Sequence, residues 1–150
     1  MKVSGSYTFP ASAAKVWDSL TDPTVLAGCI PGCEGLNAVG DDEYQAVMTV
    51  TVGPIRSRYN AKISLRDKDL HRSFRLVLEG SGTTGFANGE ALITLTEQGD
   101  QTTVEVEGDS QVGGPVARVG QRMMGTVSKM LMDRFFACLQ ESVQQPQGTD

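Results

Sequence analysis

From Val119 onward the chain sets an apolar residue at every fourth position: Val119, Met123, Val127, Leu131, Phe135, Leu139 and Val143. That spacing predicts one long helix from Pro115 to about Gln144, roughly 45 Å at 1.5 Å per residue. A helix of that length with a single apolar stripe needs a long curved surface to lie on. The residues before it read as strand after strand and supply such a surface. A curved sheet gripping a helix leaves a gap between the two layers, and a gap lined by apolar side chains suits an apolar ligand.

The strands follow from alternation. Lys2 to Phe9 places Val3, Gly5, Tyr7 and Phe9 on one face. Ser12 is an N-cap for a short helix through Leu20, and Asp22-Pro23 starts a second one that ends near Cys29, before Ile30-Pro31-Gly32. Six strands follow. Glu43 to Val52 turns Tyr44, Ala46, Met48, Val50 and Val52 inward. After a Gly53-Pro54 turn, Ile55 to Leu65 turns Ser57, Tyr59, Ala61, Ile63 and Leu65 inward. Phe74, Leu76 and Leu78 share a face, as do Ala91, Ile93 and Leu95, and Gly99-Asp100 marks a hairpin into Thr102 to Val112. Gly113-Gly114-Pro115 then releases the chain into the long helix. Short turns favour antiparallel pairing, and the lone first strand must find an edge of the sheet. The expected fold is α+β: a curved antiparallel sheet wrapped around a long C-terminal helix, with two short helices after the first strand. Residues 1–144 form that domain, and 145–150 read as a polar tail or linker.

Bulk properties narrow the function. The chain of 150 residues is long enough for one well-buried core. Its net charge of −5 argues against a general nucleic-acid binder. It has no apolar run of membrane-spanning length. Its three cysteines, an odd count, fit a reducing compartment better than a disulfide framework.

Catalytic chemistry is hard to assemble from these residues. The one histidine, His71, falls in a turn, where a general base lacks both partner and pocket. Cys29 and Cys33 flank Pro31-Gly32 without the further ligands a zinc site requires, and they read as buried thiols or a redox pair. No metal is expected. The stretch Gly80 to Gly89 lacks the lysine and the helix start of a phosphate cradle and reads as a flexible hairpin with bulges. Gly120 and Gly125 are costly inside a helix and point to close approach of another group, either Trp17 with its helix or a ligand.

Shared alternation and helical spacing select an apolar pocket under the helix: Met48, Val50, Tyr59, Ile63, Leu76, Ile93, Met123, Val127 and Leu131. Methionines there either pack the core or give an adaptable ligand surface. Ile30, Pro31, Phe86, Val116 and Val119 are expected at the pocket mouth. Arg56, Arg58, Lys62 and Arg66 form a basic stripe on the opposite strand face. That stripe is either a solvated face or a docking surface for an acidic partner or anionic headgroups.

Five segments carry a family resemblance: "AAKVWDSLTDP", "IPGCEGL", "GDDEYQAVMTVTVGPI", "GSGTTGFANGEALITL" and "VGGPVARVGQRMM". With the strands between them, the chain from Gly5 to Phe136 resembles the CoxG family of carbon monoxide dehydrogenase subunits, within the START-like (SRPBCC) helix-grip superfamily. The resemblance implies a non-catalytic accessory protein of a carbon monoxide dehydrogenase-type molybdenum enzyme. It implies a place in the cytoplasm, peripheral to the inner face of the cell membrane, and a link to the membrane quinone pool. Menaquinone or another isoprenoid quinone, or a comparable lipid, is the expected ligand, and contact of this chain with the membrane surface is expected to be weak. A recruitment subunit without ligand, and an enzyme of the same fold such as a cyclase or hydrolase, are the alternatives.

Overall fold

A computed structural model describes residues 1–52 and 54–144. Gly53 of the expected turn and the expected linker 145–150 lie outside the described residues. Strand β1 (Lys2–Phe9) leads into α1 (Ala13–Thr21) and α2 (Pro23–Cys29). Then come β2 (Cys33–Gly40), β3 (Glu43–Val52), β4 (Ile55–Asp69), β5 (Ser73–Gly82), β6 (Gly85–Gln98) and β7 (Gln101–Gly113). A 3-10 turn, Pro115–Val119, precedes α3 (Gln121–Gln144). Both short helices begin as the sequence dictates: the Ser12 hydroxyl accepts from the Lys15 amide, and the Asp22 carboxylate accepts from the Thr24 amide with Pro23 behind it.

The seven strands form one antiparallel sheet in the order β1-β7-β6-β5-β4-β3-β2. The first strand finds its edge by pairing with β7, Lys2 opposite Asp109 and Phe9 opposite Thr102. β4 runs four residues past Leu65, because a bulge between Arg66 and Asp69 lets pairing with β5 resume at Asp69–Ser73. The glycine-rich stretch is not a loose hairpin. Gly82 pairs with Gly85, so Thr83-Thr84 is a two-residue turn between fully zipped strands.

The expected single helix is two pieces. Gly120 adopts φ 91°, a conformation that side-chain-bearing residues avoid, and it ends the 3-10 turn before α3 begins. No heavy atom lies within 4 Å of where a Cβ on Gly120 or Gly125 would stand, so neither glycine makes room for Trp17. Past the break the apolar stripe keeps its phase from Val127 to Val143, with Met123 turned outward. Burial is complete in the C-terminal half of α3, where Phe136, Leu139 and Val143 are 2%, 0% and 1% exposed. Met123 and Met130, in its N-terminal half, are 40% and 39% exposed.

The main core fills one end of the grip. Phe9, Val16, Trp17, Leu20, Leu65, Phe74, Ile93, Leu95, Val104 and Val106 pack around Phe136, Leu139 and Val143. Each such side chain stabilises the fold by about 1.5–3 kcal/mol through burial. The Tyr7 ring stacks on Phe136 with centroids 4.2 Å apart, and its hydroxyl donates to Asp133 at 2.7 Å. Lys129 donates to the same carboxylate, and the Gln140 amide donates to the Thr8 carbonyl. Burial first, then the hydrogen bond to Asp133 and its charge, push the Tyr7 hydroxyl above its ordinary range. Hydrogen bonds from Lys129 and Tyr7 hold the Asp133 carboxyl below its usual range.

Cys29 and Cys138 form a disulfide, contrary to the expectation that Cys29 is a buried thiol or half of a redox pair with Cys33. Their Cα atoms are 5.4 Å apart although 109 residues separate them, a proximity that only the packing of α2 on α3 creates. Cys33 is the free thiol. His71 is not a bare loop residue either: its ring sits edge-on to Trp17, centroids 6.1 Å apart.

Two outcomes follow from these anchors. Closing so long a loop restricts the unfolded chain, so reduction, or Cys138→Ser, should lower stability by about 2–4 kcal/mol in urea titrations. Equal midpoints for oxidised and reduced protein would contradict the bridge. The depressed Asp133 contributes stability that is present above the ordinary aspartate pKa of about 3.9 and is lost as pH falls through its lower folded value. Asp133→Asn should therefore flatten the acid limb of the stability profile, and, because the Asp133 charge also raises Tyr7, it should reduce the loss of stability on the alkaline limb.

Candidate functional site

The sheet register arranges the inner face in rows. Ala46, Ala61, Gly80 and Ala87 lie side by side across four strands, with no side chain larger than a methyl group. On one side of this row stands Tyr44–Ile63–Leu78–Gly89, and on the other Met48–Tyr59–Gly82–Gly85. Methyl groups alone cannot span the distance from a sheet to a covering helix, so larger neighbours lean over them, leaving Ala46 and Ala61 only 4% and 6% exposed.

The core therefore splits into separate clusters beyond the anchored end. Tyr44, Ala46 and Ile63 gather Ile30, Cys33, Leu36, Met48, Leu76 and Leu78. Val116 and Val127 gather Val50, Val112, Val119, Met124 and Leu131. Of the nine expected pocket residues, Ile93 lies in the main core, Leu76 bridges the main core and the Tyr44 cluster, and Met48 and Ile63 lie in that second cluster. Val50, Val127 and Leu131 lie in the third. Tyr59 is buried on β4 beside Met48. Met123 is exposed, and its neighbour Met124, one turn before Val127 at i,i+3 spacing, takes the inward place. Met48, Val50, Leu76, Leu78, Met124 and Leu131 are only half-buried, although all belong to the apolar interior.

The expected mouth residues divide in the same way. Ile30 packs with Met48, and the Gly32 carbonyl accepts from the Thr49 amide, so Ile30-Pro31-Gly32 rests on one side of β3. Val116 and Val119 pack with Val50 further along β3. The Phe86 ring lies over Gly113 and is 42% exposed, on the outer side of the sheet. It borders a corner groove of about 400 Å³ with Ala117, Gly120 and Met124.

One polar feature interrupts the apolar interior. Ser57 and Tyr59 face inward on β4, 5% and 8% exposed, and both hydroxyls meet the Thr84 hydroxyl of the β5–β6 turn. The Tyr59–Thr84 distance is 3.2 Å. Gly82 makes this possible, since a Cβ there would press on the Arg58 carbonyl and stand 3.3 Å from the Tyr59 ring. The Thr84 carbonyl accepts from the Val116 amide at 2.9 Å, which ties the turn to the 3-10 segment. Alternation alone makes Tyr59 apolar wall and assigns no role to Ser57 or Thr84. A serine in line with Tyr59, Ala61 and Ile63 is the signal that the sequence does offer.

The basic stripe lies on the outer face of β4, as its alternation dictates. Arg58 pairs with Glu34 at 2.9 Å and Lys62 with Glu43 at 3.8 Å. Among the described residues, Arg56 and Arg66 have no carboxylate within 4 Å. The Thr49 hydroxyl, and then Arg58 and Arg56, hold the Glu34 carboxyl below its usual range. An open groove of about 900 Å³ follows this face between Gln45, Asn60, Lys62, Glu79, Ser81 and Asn88. A second, of about 610 Å³, lies by Lys2, Arg75, Glu90 and Glu107. Both are polar.

The buried polar side chains among the described residues are Ser19, Ser57, Ser64 and Thr102, so no carboxylate, amine or imidazole lies in the interior. Among the described residues no helix is long and apolar enough to cross a membrane.

Comparison with known proteins agrees with this geometry. Residues 5–144 match the model of the CoxG family, described as the G subunit of carbon monoxide dehydrogenase. A solved conserved protein from Geobacillus kaustophilus is 34% identical, with 95% of each chain covered and a TM-score of 0.91. A START superfamily protein from Mycobacterium smegmatis shares the fold at 15% identity, with 96% of this chain and 97% of that one covered and a TM-score of 0.73. The Zhui aromatase/cyclase from Streptomyces sp. R1128 shares it at 13% identity, with 96% and 93% covered and a TM-score of 0.68. No curated protein matches the chain. The fold is the START-like helix grip, and the chain belongs to the CoxG family of carbon monoxide dehydrogenase subunits.

Proposed function

We propose that this chain is a non-catalytic carrier that takes an isoprenoid quinone, menaquinone or a relative, or a comparable lipid, between the sheet and α3. It would serve a carbon monoxide dehydrogenase-type molybdenum enzyme at the inner face of the cell membrane, linking that enzyme to the membrane quinone pool. The observation that carries the reading is the divided interior. Met48 and Val50 on β3, Leu76 and Leu78 on β5, and Met124 and Leu131 in the first half of α3 face inward yet are only half-buried, and they flank three buried clusters joined chiefly through Leu76. A prenyl chain that parts the clusters around Ile63 and Val127 exchanges their residual exposed surface for apolar contact, at about 25 cal/mol per Å². The family match supports the partner enzyme.

The fold also serves enzymes, as the aromatase/cyclase shows by name. General acid–base chemistry needs a positioned titratable group in the cavity. Here the buried polar set consists of hydroxyls, which favours carriage over catalysis. The membrane itself offers this domain little attraction. The net charge is −5, and two of the four cations of the β4 stripe are already paired with carboxylates. Residual attraction to anionic vesicles through Arg56 and Arg66 should disappear as salt is raised.

The test is extraction from vesicles. Phosphatidylcholine vesicles carrying menaquinone are incubated with the protein and removed by centrifugation, and quinone in the supernatant is measured after organic extraction. Quinone should appear with the protein in near-stoichiometric amount. Leu131→Arg, which sets an unpaired charge beside Val127, should abolish it with the circular dichroism unchanged. A folded wild-type protein that takes up no quinone would favour the recruitment subunit without ligand.

A further inference from the structure

We propose that the Ser57, Tyr59 and Thr84 hydroxyls form a polar subsite for the uncharged, carbonyl-bearing head of the lipid. The inference rests on the carrier reading and gives it chemical specificity. Among the described residues these hydroxyls bond only to one another, Ser57 with Thr84 and Tyr59 with Thr84. Three hydroxyls own three protons, and the two contacts between them use two. One proton therefore remains to be donated, and unused lone pairs remain to accept. The cluster sits beside Met48 and Val50 on β3, so its free hydrogen-bonding capacity adjoins apolar wall.

This chemistry selects a class of head group. A ring carbonyl takes the spare proton. The hydroxyl of the corresponding reduced ring donates to a lone pair after the same rotors turn. A cluster of neutral rotors thus holds either redox form of a quinone without a change of charge. A carboxylate or phosphate finds no counter-charge there. Arg56 and Arg58, the sequence neighbours of Ser57, stand on the outer face of β4, where Arg58 is engaged by Glu34. Desolvating an anion against hydroxyls alone is unfavourable.

Titrations of the purified protein with menaquinone, squalene and oleate separate the outcomes. Squalene shares the isoprenoid chain and lacks any oxygen, and oleate carries an anionic head. Wild-type protein should bind menaquinone more tightly than either. Thr84→Val removes the shared hydroxyl and keeps the backbone carbonyl that holds Val116. It should weaken menaquinone binding about 3- to 10-fold, the range for one neutral hydrogen bond, and leave squalene unchanged. Tyr59→Phe should do the same to a smaller degree. Equal weakening of menaquinone and squalene would make the hydroxyls structural and overturn the subsite. Tight squalene binding with menaquinone unaffected by either variant would overturn it while sparing the carrier reading. Failure of the wild type to bind any of the three would remove both.

Discussion

The contact on which the molecule depends is the seat of Phe136 against Tyr7 and Phe9. It joins the last helix to the first strand across most of the chain, and that strand in turn completes the sheet beside β7. β1 is held to the sheet by β7, and this seat is what brings the helix down onto that edge. Around this seat the remaining ties accumulate at one end: Tyr7 to Asp133, Gln140 to the β1 backbone, and the covalent bridge from α2 to α3. With stability concentrated there, the other end is released from having to be a close-packed core. Functional surfaces are commonly drawn from the less stable part of a fold, and on the proposed carrier reading the half-buried interior would follow that rule.

Much of this architecture was legible in the residues. Alternation located β1 and β3 to the residue, and Asp22-Pro23 located α2, because strand periodicity and helix capping are local effects. The β4 extension was not legible, since its bulge at Asp67 has no sequence signature apart from the structure around it. The break at Gly120 was hidden for a related reason. An apolar residue at each fourth position continues through it, and only the backbone angle shows that the stripe changes element. The disulfide is a purely tertiary fact, as no local pattern relates residues 109 positions apart.

The candidate site shows the same division. Residues named from strand alternation do face inward, because that period is set by the pleat itself. How they group was not readable, since it depends on which cross-strand neighbours are small. The Ala46–Ala61–Gly80–Ala87 row draws one residue from each of four strands, and nothing in any single strand announces it. The hydroxyl cluster was not readable either, because a two-residue turn carries Thr84 back over β4, bringing together residues that the sequence places in different elements.

The disulfide and the Phe136 seat lie toward the C-terminal end of α3, while Gly120 leaves the opposite end jointed to a short 3-10 turn. The helix is thus clamped like a diving board, with compliance increasing away from the fixed end. At the tip the described tie between the layers is the Thr84–Val116 backbone hydrogen bond, rather than a covalent bridge or an aromatic seat. On the proposed carrier reading, a guest entering there would thread its chain toward the clamp and bring its head to rest near the entrance, so that the fold's asymmetry would set the guest's orientation before any specific contact formed.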